Sequence, residues 1–177
     1  STLFVLFMLQ KIAIFLFFLS SFSVSAQNEE LALQYFDEGE FEKALTIFEE
    51  NAQKQPSNFF FFQKILECRQ QLQQYDKVEE AILKRKEKYN QPILLVELGY
   101  NYQLQKKENE AKKQYNLALL EVEKQPNHAY QVANSFEKKV LLDWAIKTYE
   151  IAQKVNPNLN FDYQTGLLQG QLGNLDS

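Results

Sequence analysis

The sequence predicts an all-α protein, an α-solenoid of stacked antiparallel helix pairs preceded by an apolar leader. Three observations lead to this expectation. Glycine and proline are scarce, at 5 and 4 residues in a chain of 177; helices tolerate few of either, whereas turn-rich β folds use many. Most of the chain repeats itself with a period of about 34 residues. The segment before the repeat, residues 2–19, is almost wholly apolar.

The apolar segment has the order of a secretory signal peptide. Residues 8–11 form a short start with one positive charge, and residues 12–19 form an apolar run. Residues 24–26, Val-Ser-Ala, fit the small-x-small rule for cleavage, which would make Gln27 the new N-terminus. The pattern therefore favours export from the cytoplasm, to a secreted or periplasmic location at the cell envelope.

Cleavage there divides the chain into a signal peptide, residues 1–26, and a helical repeat domain, residues 27–177. Two other interpretations stay open. The apolar segment could be a buried first helix, or a retained membrane anchor that tolerates Lys11 near its middle. On the second interpretation, contact with a membrane is expected only through this uncleaved segment or through a missing C-terminal part.

The repeat is clearest in the second helix of each predicted pair. A small residue opens that helix at nearly even spacing along the chain: Ala44, Val78, Ala111 and Ala145. A large residue follows four positions later: Phe48, Ile82, Tyr115 and Tyr149. Residues four apart share one face of a helix, so each second helix has the same packing face. A period of this size is typical of solenoids of helix pairs.

The repeat predicts four helix pairs and one further helix. The pairs are 28–38 with 41–54, 59–72 with 75–89, 93–105 with 108–123, and 127–139 with 142–155; the last helix covers 160–172. Pro56 and Pro157 end second helices. A stack that ends in a lone helix leaves an apolar face uncovered, so we expect the natural chain to continue past Ser177.

Small residues define the turns and the close contacts of these helices. Gly39 and Gly173 are expected in left-handed turns, where glycine is favoured. Close contacts between helices are expected at the small residues of the first helices: Ala32, Gly99, Ala133 and Gly166. The pattern is broken by Leu66 at a small-residue position and by Lys106 and Val140 at turn positions. In the run of four phenylalanines from Phe59, we expect Phe62 to be the large inward residue.

These segments resemble tetratricopeptide repeats. That pattern has a Leu-Gly pair, a tyrosine, then alanine, an aromatic residue and a terminal proline. The third segment matches it at Leu98-Gly99 with Tyr102, and the fourth at Ala145 with Tyr149. The resemblance covers residues 27–177 and implies a right-handed solenoid whose first helices line a concave groove for protein or peptide partners.

The resemblance also implies which side chains face that groove. The positions carried over as partner-binding residues are Gln63, Tyr100, Gln103, Tyr130, Asn134 and Tyr163. Neighbouring groove positions fall on Gln70, Val96, Glu137 and Leu167. A clamp for a C-terminal carboxylate, found in one subtype of the family, is not expected because Glu29 and Leu33 stand where it would begin. The alternative for all these residues is an ordinary hydrated surface.

The sequence offers little for catalysis. One histidine, His128, and one cysteine, Cys68, are too few for a His/Cys metal cage, and the glycines are too scattered for a phosphate loop. The net charge of −4 gives no attraction for nucleic acid. We therefore expect no enzyme activity, no cofactor, no metal and no small-molecule substrate.

The sequence thus predicts a scaffold in the bacterial envelope that binds a protein or peptide partner. Two alternatives stay open. The chain could be the extracytoplasmic sensor region of a membrane signalling receptor. It could also be the docking arm of an enzyme whose catalytic domain lies beyond residue 177.

Overall fold

The computed structural model describes Lys11 and residues 28–175. The predicted signal peptide, residues 1–26, with its cleavage site, lies outside the described residues apart from Lys11. Across the part that is described, the chain is helical and contains no strand, which confirms the predicted all-α class. None of the helices described is both long enough and apolar enough to span a bilayer.

The helices lie where the repeat predicts them, with every boundary within three residues of its expected position. In chain order they are α1 (28–37), α2 (Phe41–Lys54), α3 (Phe59–Gln71), α4 (Tyr75–Lys88), α5 (Ile93–Leu104), α6 (Glu108–Lys124), α7 (Ala129–Lys138), α8 (Leu142–Val155) and α9 (Asp162–Leu175). A single 3-10 turn, Pro126–His128, precedes α7.

The four first helices end in the same turn. A residue with positive φ follows each of α1, α3, α5 and α7, at Gly39 (79°), Gln73 (56°), Lys106 (61°) and Val140 (57°). In each turn this residue donates its N–H to the carbonyl three positions back, and the next residue donates to the carbonyl five positions back, over 2.8–3.1 Å. This is the Schellman arrangement. Its geometry is kept at Lys106 and Val140 although neither is glycine.

Two glycine predictions were wrong. Gly173 does not occupy a left-handed turn, because α9 continues through it to Leu175. Gly166 is exposed, and a Cβ added to it would meet nothing within 4 Å. The prediction is right at Gly99, where an added Cβ would overlap the Tyr115 ring and lie 3.1 Å from the carbonyl oxygen of Ala111.

The chain forms two compact units, one up to Gln74 and one from Tyr75 onward. In the first unit, α1, α2 and α3 pack around one apolar core. Its buried members are Ala32, Ala44, Phe48, Phe61, Ile65 and Cys68. The three members of this core that belong to α3 are spaced by four and three residues, which places them on one face of the helix.

That spacing corrects the prediction for the phenylalanine run. Phe61, 2% exposed, is the inward residue of α3 because it shares a face with Ile65 and Cys68. Phe62 is half-buried, and its ring lies 5.9 Å from that of Phe59. Phe60 lies at the surface.

In the second unit, neighbouring helix pairs pack against each other. Helix α5 packs with α6 and α7 packs with α8, while α5 also contacts α7 and α6 also contacts α8. Helix α4 packs against α5, and α9 packs against α8. An aromatic cluster fills the space between the pairs: the Tyr115 ring lies 5.2 Å from Phe136 and 5.1 Å from Trp144. Such rings contribute much of a core's apolar contact area.

Candidate functional site

No group of acidic, histidine and cysteine side chains that could hold a metal ion occurs among the residues described. The one thiol, Cys68, is buried in the first unit. Its burial raises the pKa of the thiol to about 12, so the sulfur stays protonated and is a poor nucleophile.

A concave groove of about 260 Å³ in the second unit involves α7, α8 and α9. We call it the α7–α9 groove. Its lining residues are Tyr130, Asn134, Glu137, Tyr149, Tyr163, Gln164, Leu167, Leu168 and Gln171. Three of the six sequence-predicted residues, Tyr130, Asn134 and Tyr163, therefore lie together on one surface.

The periodicity of α7 explains which side chains reach the groove. Val132, Ala133 and Phe136 are fully buried in the core. Tyr130 and Asn134 are four apart and therefore lie on another face of the same helix. Because the core takes one face of α7, the other remains available to a ligand.

Large side chains at the groove are open to solvent. Tyr130 is 62% exposed, Tyr163 is 75% exposed and Leu167 is 51% exposed. Large exposed side chains that lie together on a concave surface are one feature of protein interaction sites. Three of the other six lining residues are amides, Asn134, Gln164 and Gln171, so the groove combines apolar area with groups that both donate and accept hydrogen bonds.

One hydrogen bond organises the inner part of the groove. The hydroxyl of Tyr149 donates to Oε1 of Glu137 over 3.2 Å. Burial of the tyrosine and the adjacent carboxylate raise the pKa of Tyr149, so it stays a neutral donor. Glu137 is the only charged residue among those lining the groove.

The preceding helix pair contains the same bond with a different acceptor. The hydroxyl of Tyr115 donates to Oε1 of Gln103 over 2.8 Å. Both partners lie one full repeat before Tyr149 and Glu137 in the sequence. Gln103, a predicted groove residue, is thus engaged inside its own helix pair and does not line the α7–α9 groove.

The other two predicted residues also lie away from this groove. Tyr100 on α5 is half-buried, and the ammonium nitrogen of Lys139 lies 5.4 Å from the centre of its ring. Gln63 belongs to α3 of the first unit and is half-buried. Of the neighbouring positions, Glu137 and Leu167 do line the groove, whereas Val96 and Gln70 are buried. Val96 lies in the core of the second unit, where α7 packs against α5.

A buried ionic contact that the sequence interpretation missed joins α5 to the end of α7. Glu97, 3% exposed, accepts from the Lys139 ammonium over 2.8 Å. The Ser135 hydroxyl lies 3.3 Å from the same carboxylate oxygen. A buried carboxylate is stable only when it is paired and hydrogen-bonded. The available signal was Glu97 itself, a single charge within the apolar residues 93–98.

Two further polar contacts hold α4 against α5. The fully buried Asn101 donates from its amide to the carbonyl of Tyr75 over 3.0 Å. The Tyr102 hydroxyl donates to Glu79 over 2.7 Å. Burial is the main cause that raises the pKa of Tyr102 to about 12, and this hydrogen bond is the second. These contacts are structural, since they join side chains to neighbouring helices.

No protein-family model matches this sequence, and no curated protein is significantly similar to it. The geometry of the α7–α9 groove is therefore the basis for a functional assignment.

Proposed function

We propose that this chain is a non-catalytic interaction module that binds an extended segment of a protein or peptide partner in the α7–α9 groove. The observation that carries the proposal is the clustering of exposed tyrosines and amides on one concave surface. Tyrosine provides a large contact area at a low entropic cost and can form a hydrogen bond at its hydroxyl.

The size and chemistry of the groove favour a peptide over a small molecule. Its volume of about 260 Å³ is below the roughly 300–1,000 Å³ of typical small-molecule sites. The amides of Asn134, Gln164 and Gln171 can pair with the N–H and C=O groups of a peptide backbone. Tyr130, Tyr163 and Leu167 supply apolar contact for side chains of the same segment.

We further propose that the helix pairs form a right-handed α-solenoid of the tetratricopeptide type. Two regularities of the described residues support this. The left-handed turn recurs once per repeat, after each first helix from α1 to α7. Within the second unit, first helices contact first helices and second helices contact second helices. Stacks of identical helix pairs make contacts of this kind.

The proposed location of the module is the bacterial envelope, outside the cytoplasm. The support is the order of charge, apolar run and small residues in residues 8–26. Expression of the full chain in a bacterial host followed by N-terminal sequencing tests this part. We expect the exported protein to begin at Gln27, and a chain that stays in the cytoplasm with its N-terminus intact contradicts it.

The groove is tested by selection of linear peptides from a random display library on the full chain. Selected peptides are then titrated against the wild type and the double variant Tyr130→Ala/Tyr163→Ala. Because both side chains are largely exposed, their loss should leave the fold intact. We expect the variant to bind at least about tenfold more weakly, a loss of about 1.4 kcal/mol of binding free energy.

The matched control is Leu120→Ala/Val155→Ala, which removes two side chains that are also exposed but do not line the groove. It should bind the peptides as the wild type does. Equal loss in both double variants, or no loss in either, is incompatible with binding in the α7–α9 groove.

A further inference from the structure

We propose that the α7–α9 groove selects a peptide segment that presents a basic side chain, arginine or lysine, to Glu137. The inference rests on the proposed peptide-binding function, because it specifies the chemistry of the partner in the same groove. Three observations support it: the negative charge of Glu137, the exposed rings of Tyr130 and Tyr163, and the neutral Gln103 at the corresponding position of the preceding helix pair.

The charge in the groove is negative and has no cation beside it among the lining residues. Glu137 is the one charged lining residue, and its hydrogen bond comes from the neutral hydroxyl of Tyr149. The nearby Lys139 ammonium is paired with Glu97 over 2.8 Å, and Lys138 does not line the groove. A cationic side chain of a bound partner could therefore form an ion pair with Glu137.

The position of Glu137 in its helix strengthens this preference. It is the penultimate residue of α7, which ends at Lys138. The last carbonyl groups of a helix carry a partial negative charge, which stabilises cations and disfavours anions. The helix end and the carboxylate thus act in the same direction, against an acidic segment and in favour of a basic one.

The two exposed rings suit the rest of a basic side chain. Tyr130 and Tyr163 line the same groove as Glu137. A guanidinium or ammonium group is attracted to the face of an aromatic ring, and the apolar stem of the side chain packs against the ring as well. Arginine benefits most, because its planar group both stacks on a ring and pairs with a carboxylate.

The preceding helix pair provides a matched neutral version of this site. There, Gln103 accepts a hydrogen bond from the hydroxyl of Tyr115, as Glu137 does from the hydroxyl of Tyr149. The substitution Glu137→Gln therefore removes the charge, while the amide oxygen of the new side chain can still accept a hydrogen bond from the Tyr149 hydroxyl. A change in binding would then report the charge and not the loss of a buried partner.

The experiment uses peptides selected by display on the full wild-type chain. Each is synthesised with its natural sequence and with arginine replaced by citrulline, or lysine by acetyl-lysine, which are neutral. We expect a basic residue at one recurring position, and about tenfold weaker binding of the basic peptide to E137Q, in line with the strength of charge-assisted hydrogen bonds. The neutral peptide should bind the wild type and E137Q equally.

E123Q serves as the control for net charge, since Glu123 is exposed on α6 and does not line the groove. Selected peptides that lack a basic residue, or that bind E137Q as tightly as the wild type, overturn the basic-segment proposal and leave the peptide-binding function standing. An equal loss in E123Q also overturns it, because attraction would then be non-local. Failure to select any groove-binding peptide overturns both proposals.

Discussion

The helix pairs α5–α6 and α7–α8 share a framework but differ on the side that faces away from their core. Both have the same left-handed turn, at Lys106 and Val140. Both contain a buried tyrosine, Tyr115 or Tyr149, whose hydroxyl bonds to the polar residue twelve positions earlier. Both pairs therefore keep the buried tyrosine and the left-handed turn. The residue that accepts the tyrosine hydrogen bond and the residue in the turn differ between the pairs.

Three differences between the pairs show where the sequence is free to change. Gly99 is replaced by Ala133, Gln103 by Glu137 and Lys106 by Val140. The first lies at a helix contact, the second at the groove and the third at the surface. At the helix contact the two pairs differ by a single methyl group, whereas the side chains at the groove and at the surface differ in charge or in shape.

The strongest test of the comparison breaks the contact that joins the two pairs. Lys139→Met should destabilise the protein by about 3 kcal/mol, because it leaves the carboxylate of Glu97 buried without its cation. The side chains of Lys139 and Glu97 are only 11% and 4% exposed. Chemical denaturation of both proteins, followed by circular dichroism, measures the difference in the free energy of unfolding.

The neighbouring Lys138, which is exposed, supplies the control for this prediction. Lys138→Met should change stability by less than about 0.5 kcal/mol, as surface substitutions generally do. The double variant Glu97→Gln/Lys139→Met should recover part of the loss, since it removes the unpaired charge. Equal stability of the Lys138 and Lys139 variants would show that the ionic contact does not hold the pairs together.

A smaller effect is expected where the pairs differ in their small residue. Gly99→Ala should cost about 2 kcal/mol, the usual range for overpacking, because the new methyl group would overlap the Tyr115 ring. The reverse change, Ala133→Gly, should cost about 1–2 kcal/mol, through the lower helix propensity of glycine and the loss of a buried methyl group. Thermal unfolding measures the loss of stability in both variants. A Gly99→Ala protein that is more stable than the wild type would be incompatible with the close contact between Gly99 and Tyr115.

The smallest effect is expected at the turns and has the opposite sign. Val140 is β-branched and has a φ of 57°, a conformation that costs an L-residue about 1–2 kcal/mol. Val140→Gly should therefore stabilise the protein by about 1 kcal/mol. Lys106→Gly should stabilise it less, because lysine is not branched at Cβ. A destabilised Val140→Gly protein, measured by denaturant midpoint, would argue against strain at this turn.

The sequence interpretation was accurate for the helices, and the structure brings three of the six predicted groove residues to one surface. The repeat spacing predicted which face of each second helix packs into the core. In α6 and α8 that face contains Ala111 with Tyr115 and Ala145 with Tyr149. The same register brought Tyr130, Asn134 and Tyr163 to one surface. Val96 was misplaced because its burial depends on α7, which belongs to the next repeat along the chain.

Helix positions follow from the sequence alone, because they depend on residues within one or two turns of each other. The regular repeat and the scarcity of glycine and proline are sufficient to define them. Only the tertiary structure decided that Phe61 and not Phe62 faces the core, that Gly166 needs no close contact, and that Glu97 meets Lys139. These outcomes depend on what a neighbouring helix places against each side chain, which local periodicity does not specify.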